Sequence, residues 1–274
     1  MMYTAKSRMT MFKYAEPMGK LRDYIAFFWQ VEVNHEPGES YAYNYIATSK
    51  PVFLFRYCGE HVKISGTDQS FIHQASIVGQ SETYTNYQVL SDRTSFFGVR
   101  FYPWVLPELF GICATELTNG SLDILSLLGR EGDRLVSDML KSAHFDKRIE
   151  IISTYLSAKI QNPSKKFLQA QQSIVLIHSN EAEITVDELV QRAHISERQF
   201  ERNFKTLTGF SARTYLKIIK FERALKNMKN SIHRNDLLTS IALDSGYYDQ
   251  AHFNRHFRQF TGKSPLNHLN SHPY

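Results

Sequence analysis

The sequence predicts a two-part chain: a mainly-β sandwich or barrel with a helical extension, then an all-α module of two helix-turn-helix units. Three observations predict it. Apolar and polar residues alternate with period two as far as residue 102, the period turns helical from Pro103, and one phrase occurs twice near the C-terminus. The copies are FERNFKTLTGFS at 200–211 and FNRHFRQFTGKS at 253–264, offset by 53 residues throughout. A chain of 274 residues is also long for one hydrophobic core, and the expected divisions are 1–102, 103–162 and 163–274.

The strands come first. In residues 25–33 (IAFFWQVEV), Ile25, Phe27, Trp29, Val31 and Val33 alternate with Ala26, Phe28, Gln30 and Glu32. Tyr41, Tyr43 and Tyr45 share one face, as do Phe53, Phe55 and Tyr57, and further strands are expected at 62–65, 76–79, 82–90 and 95–102. Period-two segments between polar turns argue for a sandwich or barrel rather than a parallel sheet. The first 112 residues hold 22 aromatics and the remaining 162 hold 14, a density that suits a sandwich core or an apolar ligand cavity. Arg56 alternates out of the Phe53, Phe55, Tyr57 face, and Arg100 out of the Val99, Phe101 face. An arginine inside an aromatic-lined barrel can clamp a carboxylate, so Arg56 and Arg100 are candidate effector contacts; a solvated arginine is the commoner outcome.

Helical spacing follows at 133–143 and 146–160, through Leu135, Met139 and Leu140 and then Ile149, Ile152 and Leu156. This extension is a candidate for dimerisation. The stretch 161–166 (QNPSKK) reads as a linker, with Pro163 stopping one helix and Ser164 capping the next.

Composition narrows the function. Cys58 and Cys113 do not make a disulfide framework or a CxxC pair, and His35, His61 and His73 are scattered without metal-ligand spacing. With no phosphate loop and no nucleophile–base set, no metal, cofactor or catalytic group is expected, and a cupin-like enzyme is the weaker alternative. The first 17 residues are broken by Lys6, Arg8 and Lys13, unlike a secretion signal, and no apolar run approaches the ~20 residues of a bilayer span. A soluble cytoplasmic protein is expected. Charge is uneven: residues 1–160 hold 16 Lys+Arg against 17 Asp+Glu, whereas 161–274 hold 16 against 10. The excess points to a polyanionic partner for the C-terminal module alone.

The repeated phrase carries the sharper signal. At about 100° per residue, Phe200, Phe204 and Leu207 form one stripe, while Arg198, Glu201, Arg202 and Lys205 face the other way. In the second copy Phe253, Phe257 and Phe260 form the stripe, and Asn254, Arg255 and Arg258 take the opposite sector. Thr185 with Glu188 and Ser196 with Gln199 read as capping boxes, and Asp249 as the cap of the second copy. Gly209 and Gly262 are placed to end each helix in the left-handed region, followed by Ser211 and Ser264 as N-caps and by Pro265 at a first helical position. A short apolar helix and a tight turn precede each copy, which is the helix-turn-helix order. The units are expected at about 184–209 and 237–262, joined by a helix over 212–228.

On these residues, LVQRAHISERQFERNFKTLTGFS, ARTYLKIIKFERAL and IALDSGYYDQAHFNRHFRQFTGKSP, the region 168–274 resembles the tandem helix-turn-helix domain of the AraC/XylS family of bacterial transcription regulators. His194 departs from the usual glycine of the first turn, and His268 from a common tyrosine. The segments HVKISG, SIVGQSE, FFGVRFYPW and ELFGICATELTNGSLDI are similar to the sensor domains that precede such modules. The resemblance implies a regulator of promoter DNA, more often an activator, controlled through a small-molecule effector, a homodimer or both, with RNA polymerase as a further partner of an activator.

Two recognition helices in one chain can enter successive major-groove segments about one turn (~34 Å) apart. Arg198 and Arg202 are then placed for guanine O6/N7 and Glu201 for cytosine N4, with Gln250, His252, Asn254 and Arg255 at base edges in the second unit. Lys205, Arg258, Lys263 and the helix starts at Ser211 and Ser264 suit phosphates. A structural ion pair is the competing reading for each arginine. Basic helices that bind a protein or a membrane surface are the other alternative, which two capped helices at a fixed spacing disfavour.

Overall fold

The computed structural model describes residues 7–36, 41–65, 68–161, 165–179, 184–231 and 238–270. Pro163 and Ser164, and with them the expected division at 162/163, lie outside the described residues, as does residue 237 at the expected start of the second unit.

Among the described residues ten strands form two antiparallel sheets. The first holds β1 (Ser7–Ala15), β2 (Ile25–His35), β4 (Val52–Cys58), β7 (Ala75–Val78), β9 (Arg93–Phe101) and β10 (Ser121–Asp123), in the order β1-β2-β9-β4-β7-β10. The second holds β3 (Tyr41–Tyr45), β5 (His61–Ser65), β6 (Asp68–Phe71) and β8 (Thr85–Val89), in the order β3-β8-β5-β6. Every expected strand is present. β1, β6 and β10 are additions, and β10 lies inside the region read as wholly helical, where Ser121–Asp123 pairs with β7.

The six-stranded sheet is buried on both faces, so its strands carry aromatics on both. Phe53, Phe55, Phe97, Val99 and Phe101 belong to the core shared with the helices, while Trp29, Val31, Val33, Val52 and Phe96 form a second cluster. Phe96 meets His61 of the other sheet edge-on, with ring centroids 4.9 Å apart. Ile25 departs from the expected alternation. A bulge between Ile25 and Phe27 inserts one residue into the pairing, which turns everything before it to the opposite face. Ile25 therefore packs with Phe28 against the helices rather than with Trp29.

Helices α1 (Val105–Phe110), α2 (Ala114–Leu117), α3 (Ile124–Lys141) and α4 (Phe145–Lys159) cover that face. α3 begins nine residues earlier than its periodicity suggests, because Asp123 caps it through Ser126 N at 3.0 Å, and it breaks at Gly129 (φ 54°, ψ −132°). Arg148 of α4 is buried. Its guanidinium lies 3.5 Å from the Tyr57 ring centroid and donates to Ser142 O and Gln30 Oε1, tying the helical hairpin to the sheet.

The C-terminal module is all helical: α5 (Lys165–Ser179), α6 (Val186–Ala193), α7 (Glu197–Thr208), α8 (Ala212–Ser231), α9 (Leu238–Asp244), α10 (Gln250–Thr261) and α11 (Pro265–Asn270). One hydrophobic cluster runs from Phe53 and Leu117 of the N-terminal half to Phe204, Phe221 and Phe257 of the module. No helix among the described residues is long and apolar enough to cross a membrane.

His61, 1 % exposed, is pushed down to about 3 by burial first and then by Arg56 and His35. An imidazole whose folded value lies below its unfolded value of about 6.5 leaves the unfolded state binding more protons between the two, so its stability is complete above pH 6.5 and lost on acidification. Lowering the pH from 7 to 5 should remove about 2 kcal/mol through this group. Thermal melts at the two values should show a smaller loss for His61→Leu than for the wild type.

Candidate nucleic-acid interface

Each recognition helix is fixed by local chemistry at both ends. Ahead of α7, Thr185 and Glu188 cap α6 reciprocally, with Glu188 N to Thr185 Oγ1 at 3.2 Å and Thr185 N to Glu188 Oε2 at 2.7 Å. α6 ends at His194 in the left-handed region (φ 52°), so the turn forms with histidine where glycine is commoner. Ser196 then accepts from Gln199 N at 3.4 Å, which makes half of the expected box. In the second unit Gly246 (φ 85°) makes the turn, and Asp249 accepts from His252 N at 2.7 Å. Gly209 (φ 78°) and Gly262 (φ 76°) close α7 and α10.

The threonine before each closing glycine explains why the repeat reads T-G. Thr208 Oγ1 bonds Phe204 O at 2.8 Å and accepts from Phe210 N at 3.2 Å. Thr261 repeats this with Phe257 O at 2.8 Å and Lys263 N at 3.1 Å. One buried hydroxyl thus satisfies a carbonyl of the last turn and an amide beyond it, where a left-over polar group would cost ~1–3 kcal/mol.

The phenylalanine stripes point inward as the periodicity requires. Phe200, Phe204 and Leu207 are buried, as are Phe253, Phe257 and Phe260. α8 receives both: Tyr215 meets Phe204 at 5.4 Å, and Phe221 meets Phe257 at 5.4 Å and Phe260 at 5.0 Å. Arg198, Arg202 and Lys205 of α7 and Arg255 and Arg258 of α10 are consequently exposed. Among the described residues none of these five forms an ion pair. Their charge is therefore not engaged in holding the fold.

The other candidates are placed differently. Glu201 is half-buried, and its Oε2 accepts from Ala212 N at 3.3 Å, serving the start of α8. Gln250 Oε1 accepts from Thr239 Oγ1 at 2.8 Å, linking α10 to α9. The Asn254 Oδ1 atom is buried without a hydrogen-bond partner among the described residues. His252 meets His256 edge-on, ring centroids 4.3 Å apart, and Tyr247 likewise at 5.5 Å. Ser211 and Ser264 each cap their own helix, through Thr214 N at 3.1 Å and Asn267 N at 3.3 Å, and both are half-buried. His256 is pushed down to about 4 by burial first, then by His252, Lys217, Arg255 and Lys220, so α10 sits in a positive field.

Tyr248 joins this surface and escaped the sequence reading. It is 87 % exposed beside the cap of α10, while its neighbour Tyr247 is 3 % exposed. Its signal is the doublet itself, since two adjacent aromatics at a helix start cannot share one buried face.

In the N-terminal half, Arg56 and Arg100 share the face of Val52, Leu54 and Phe96, toward the second sheet. Arg56 Nη2 donates to Ile72 O at 2.9 Å, while its Nη1 and His61 Nε2 are buried without hydrogen-bond partners among the described residues. Arg100 is tied, donating to Tyr45 Oη at 3.2 Å and Lys50 O at 2.8 Å. His35 bonds Thr94 Oγ1, His61 bonds Tyr43 Oη, and His73 lies 3.9 Å from Asp123.

A strand-built front half, two outward cationic helices and one helix carrying both define a two-part fold with a tandem helix-turn-helix module. A family described as "Helix-turn-helix domain" matches residues 189–271, and one described as "Domain of unknown function (DUF6597)" matches residues 13–123. The chain is 27 % identical over 118 residues to the HTH-type transcriptional regulator YobQ of Bacillus subtilis, covering 43 % of this chain and 45 % of that one. It is 26 % identical over 140 residues to the HTH-type transcriptional regulator ArgR of Pseudomonas aeruginosa, covering 51 % and 39 %. The matches thus span less than half the length of either relative. The crystal structure of ToxT from Vibrio cholerae shares the fold, with a TM-score of 0.54 at 12 % identity over 90 % of this chain and 99 % of that one. Residues 189–271 thus match a helix-turn-helix family, and both relatives are HTH-type transcriptional regulators.

Arg202→Ala and Arg255→Ala should each weaken specific DNA binding by ~1–3 kcal/mol, whereas Lys205→Ala should weaken it for all sequences and lower the slope of log K against log salt by about 1. Gel shifts across a salt series separate the two behaviours. Replacing His194 by glycine should relieve its left-handed backbone and raise stability by about 1 kcal/mol, read as a higher melting temperature.

Proposed function

We propose that this protein is a sequence-specific activator of transcription, acting in the cytoplasm on promoter DNA and without enzymatic activity of its own. The observation that carries the reading is the pair of matched cationic faces: five exposed Arg and Lys side chains on α7 and α10, which form no ion pair among the described residues, on helices whose opposite faces are locked into one core. Such faces suit phosphates and guanine edges of successive major-groove segments. Bound upstream of a promoter, the protein contacts RNA polymerase, and the α3–α4 hairpin joins two copies.

The N-terminal half takes an effector. What supports this is the buried pair between the sheets, Arg56 Nη1 and His61 Nε2, without hydrogen-bond partners among the described residues, where an unmet guanidinium nitrogen fits a carboxylate better than a neutral ligand. The similarly folded ToxT has been crystallised with an unsaturated fatty acid, which makes an acidic, largely apolar molecule the first class to test. Arg56 is the better of the two arginines for this role because Arg100 is already bonded.

Mapping of bound DNA in cells tests the regulator reading; it should return promoter sites with paired half-sites, and uniform occupancy would refute it. Carboxylic acids of increasing chain length should raise the melting temperature of the wild type and not of Arg56→Gln. A series that shifts neither protein, or both equally, removes Arg56 from an effector site.

A further inference from the structure

The N-terminal half grips the DNA-binding module at three points, on both repeated units and on the helix between them. On the first unit Thr118 Oγ1 donates to Gly209 O at 3.2 Å, and a Cβ added to Gly209 would fall 1.8 Å from Gln80 Nε2. On the second, Asn44 Nδ2 donates to Thr261 O at 2.8 Å and Ala47 N to Phe260 O at 3.0 Å. A Cβ on Gly262 would lie 2.9 Å from Asn44 Nδ2 and from the Tyr84 ring. The N-terminal half therefore holds the same corner of each repeat, the T-G that closes the recognition helix.

The third point is α8. Glu222 accepts from Ser49 N at 2.8 Å, from Ser49 Oγ at 2.9 Å and from Thr48 Oγ1 at 3.1 Å, with Lys50 Nζ 3.7 Å away. Burial opposes its charge, but Lys50 and the Ser49 donors outweigh this and hold the carboxyl below the usual range. The loops that make these contacts are bonded to one another. Thr48 and Ser81 exchange backbone bonds of 2.8 and 2.9 Å, and Asn119 N donates to Gln80 O at 2.9 Å. Three loops of one sandwich thus form a single bracket.

Magnitudes show what the bracket adds. Ridge-into-groove packing specifies a crossing angle only to within about 15–20° from one helix pair to another. A twelve-residue helix such as α10 is about 18 Å long, so a swing of roughly 11° moves its far end by ~3.4 Å, one base pair along the duplex. Single-base-pair register therefore asks for a closer definition of the angle than the packing class supplies, and contacts beyond the stripe on α8 can provide it. We propose that the bracket of residues 44–50, 80–84 and 118–119 sets the offset between the two recognition helices, so that Asn44, Thr48 and Ser49 determine which half-site spacing is accepted without touching DNA. This rests on the DNA-binding reading above.

The test uses the full chain and two disruptions made from opposite sides of the seam, Glu222→Gln in the module and Thr48→Val/Ser49→Ala in the sandwich. Without DNA, hydrogen exchange of the Ala47 amide should be at least tenfold faster in both than in the wild type. On a duplex selected by the wild type, inserting one base pair between half-sites should weaken wild-type binding at least tenfold and that of either disrupted protein less than threefold. Unchanged exchange overturns the bracket, and equal loss of affinity in all three proteins assigns the spacing to α8 alone and overturns the proposal. Failure to select any duplex would refute the DNA reading instead, while the exchange result still judges the bracket. Asn44→Ala, which removes only the bond to Thr261, should reproduce a smaller part of the same effect; an Asn44→Ala protein as selective as wild type and as slow in exchange removes Asn44 from the bracket.

Discussion

The docking of two phenylalanine stripes onto one helix is the constraint on which the rest of the molecule depends. Each buried phenylalanine contributes ~1.5–3 kcal/mol, and α8 offers Tyr215 to one stripe and Phe221 to the other. Their burial dictates which arc of α7 and α10 is left to solvent. That arc carries Arg198, Arg202 and Lys205 in one unit and Arg255 and Arg258 in the other. The cationic surface is thus a consequence of the core.

A second constraint acts at the T-G corners. Each glycine closes its helix in a conformation unfavourable for other residues, and the same missing Cβ admits Gln80 at one corner and Asn44 with Tyr84 at the other. The repeat therefore supplies two equivalent handles to a sandwich that is not itself repeated. Glu222 of α8 adds a charged latch to these two handles. Arg100 supports that latch from within the sandwich by binding Lys50 O.

Much of this was legible in the residues, and the reasons are physical. Caps at Thr185, Ser196 and Asp249, the left-handed His194 and the closing glycines follow from chemistry within four or five residues. β1 was not legible because Phe12 and Tyr14 lie on its exposed side, so no buried face shows in its pattern. The bulge that turns Ile25 over leaves no mark in an alternating sequence. Glu201 and Gln250 have the helical positions of base readers, yet their side chains find Ala212 N and Thr239 in the folded chain. The bracket is the least legible part, since its bonds to the module join residues more than ninety positions apart.

The central claim is that two matched helices of one polypeptide enter consecutive major-groove segments on one side of a duplex. Methylation interference on a duplex selected by the protein tests it most directly, because modification of guanine N7 obstructs the major groove. The account predicts two patches of interference centred about one helical turn, ~10 base pairs, apart for each bound monomer. A single patch, or two patches on opposite sides of the duplex, would contradict it.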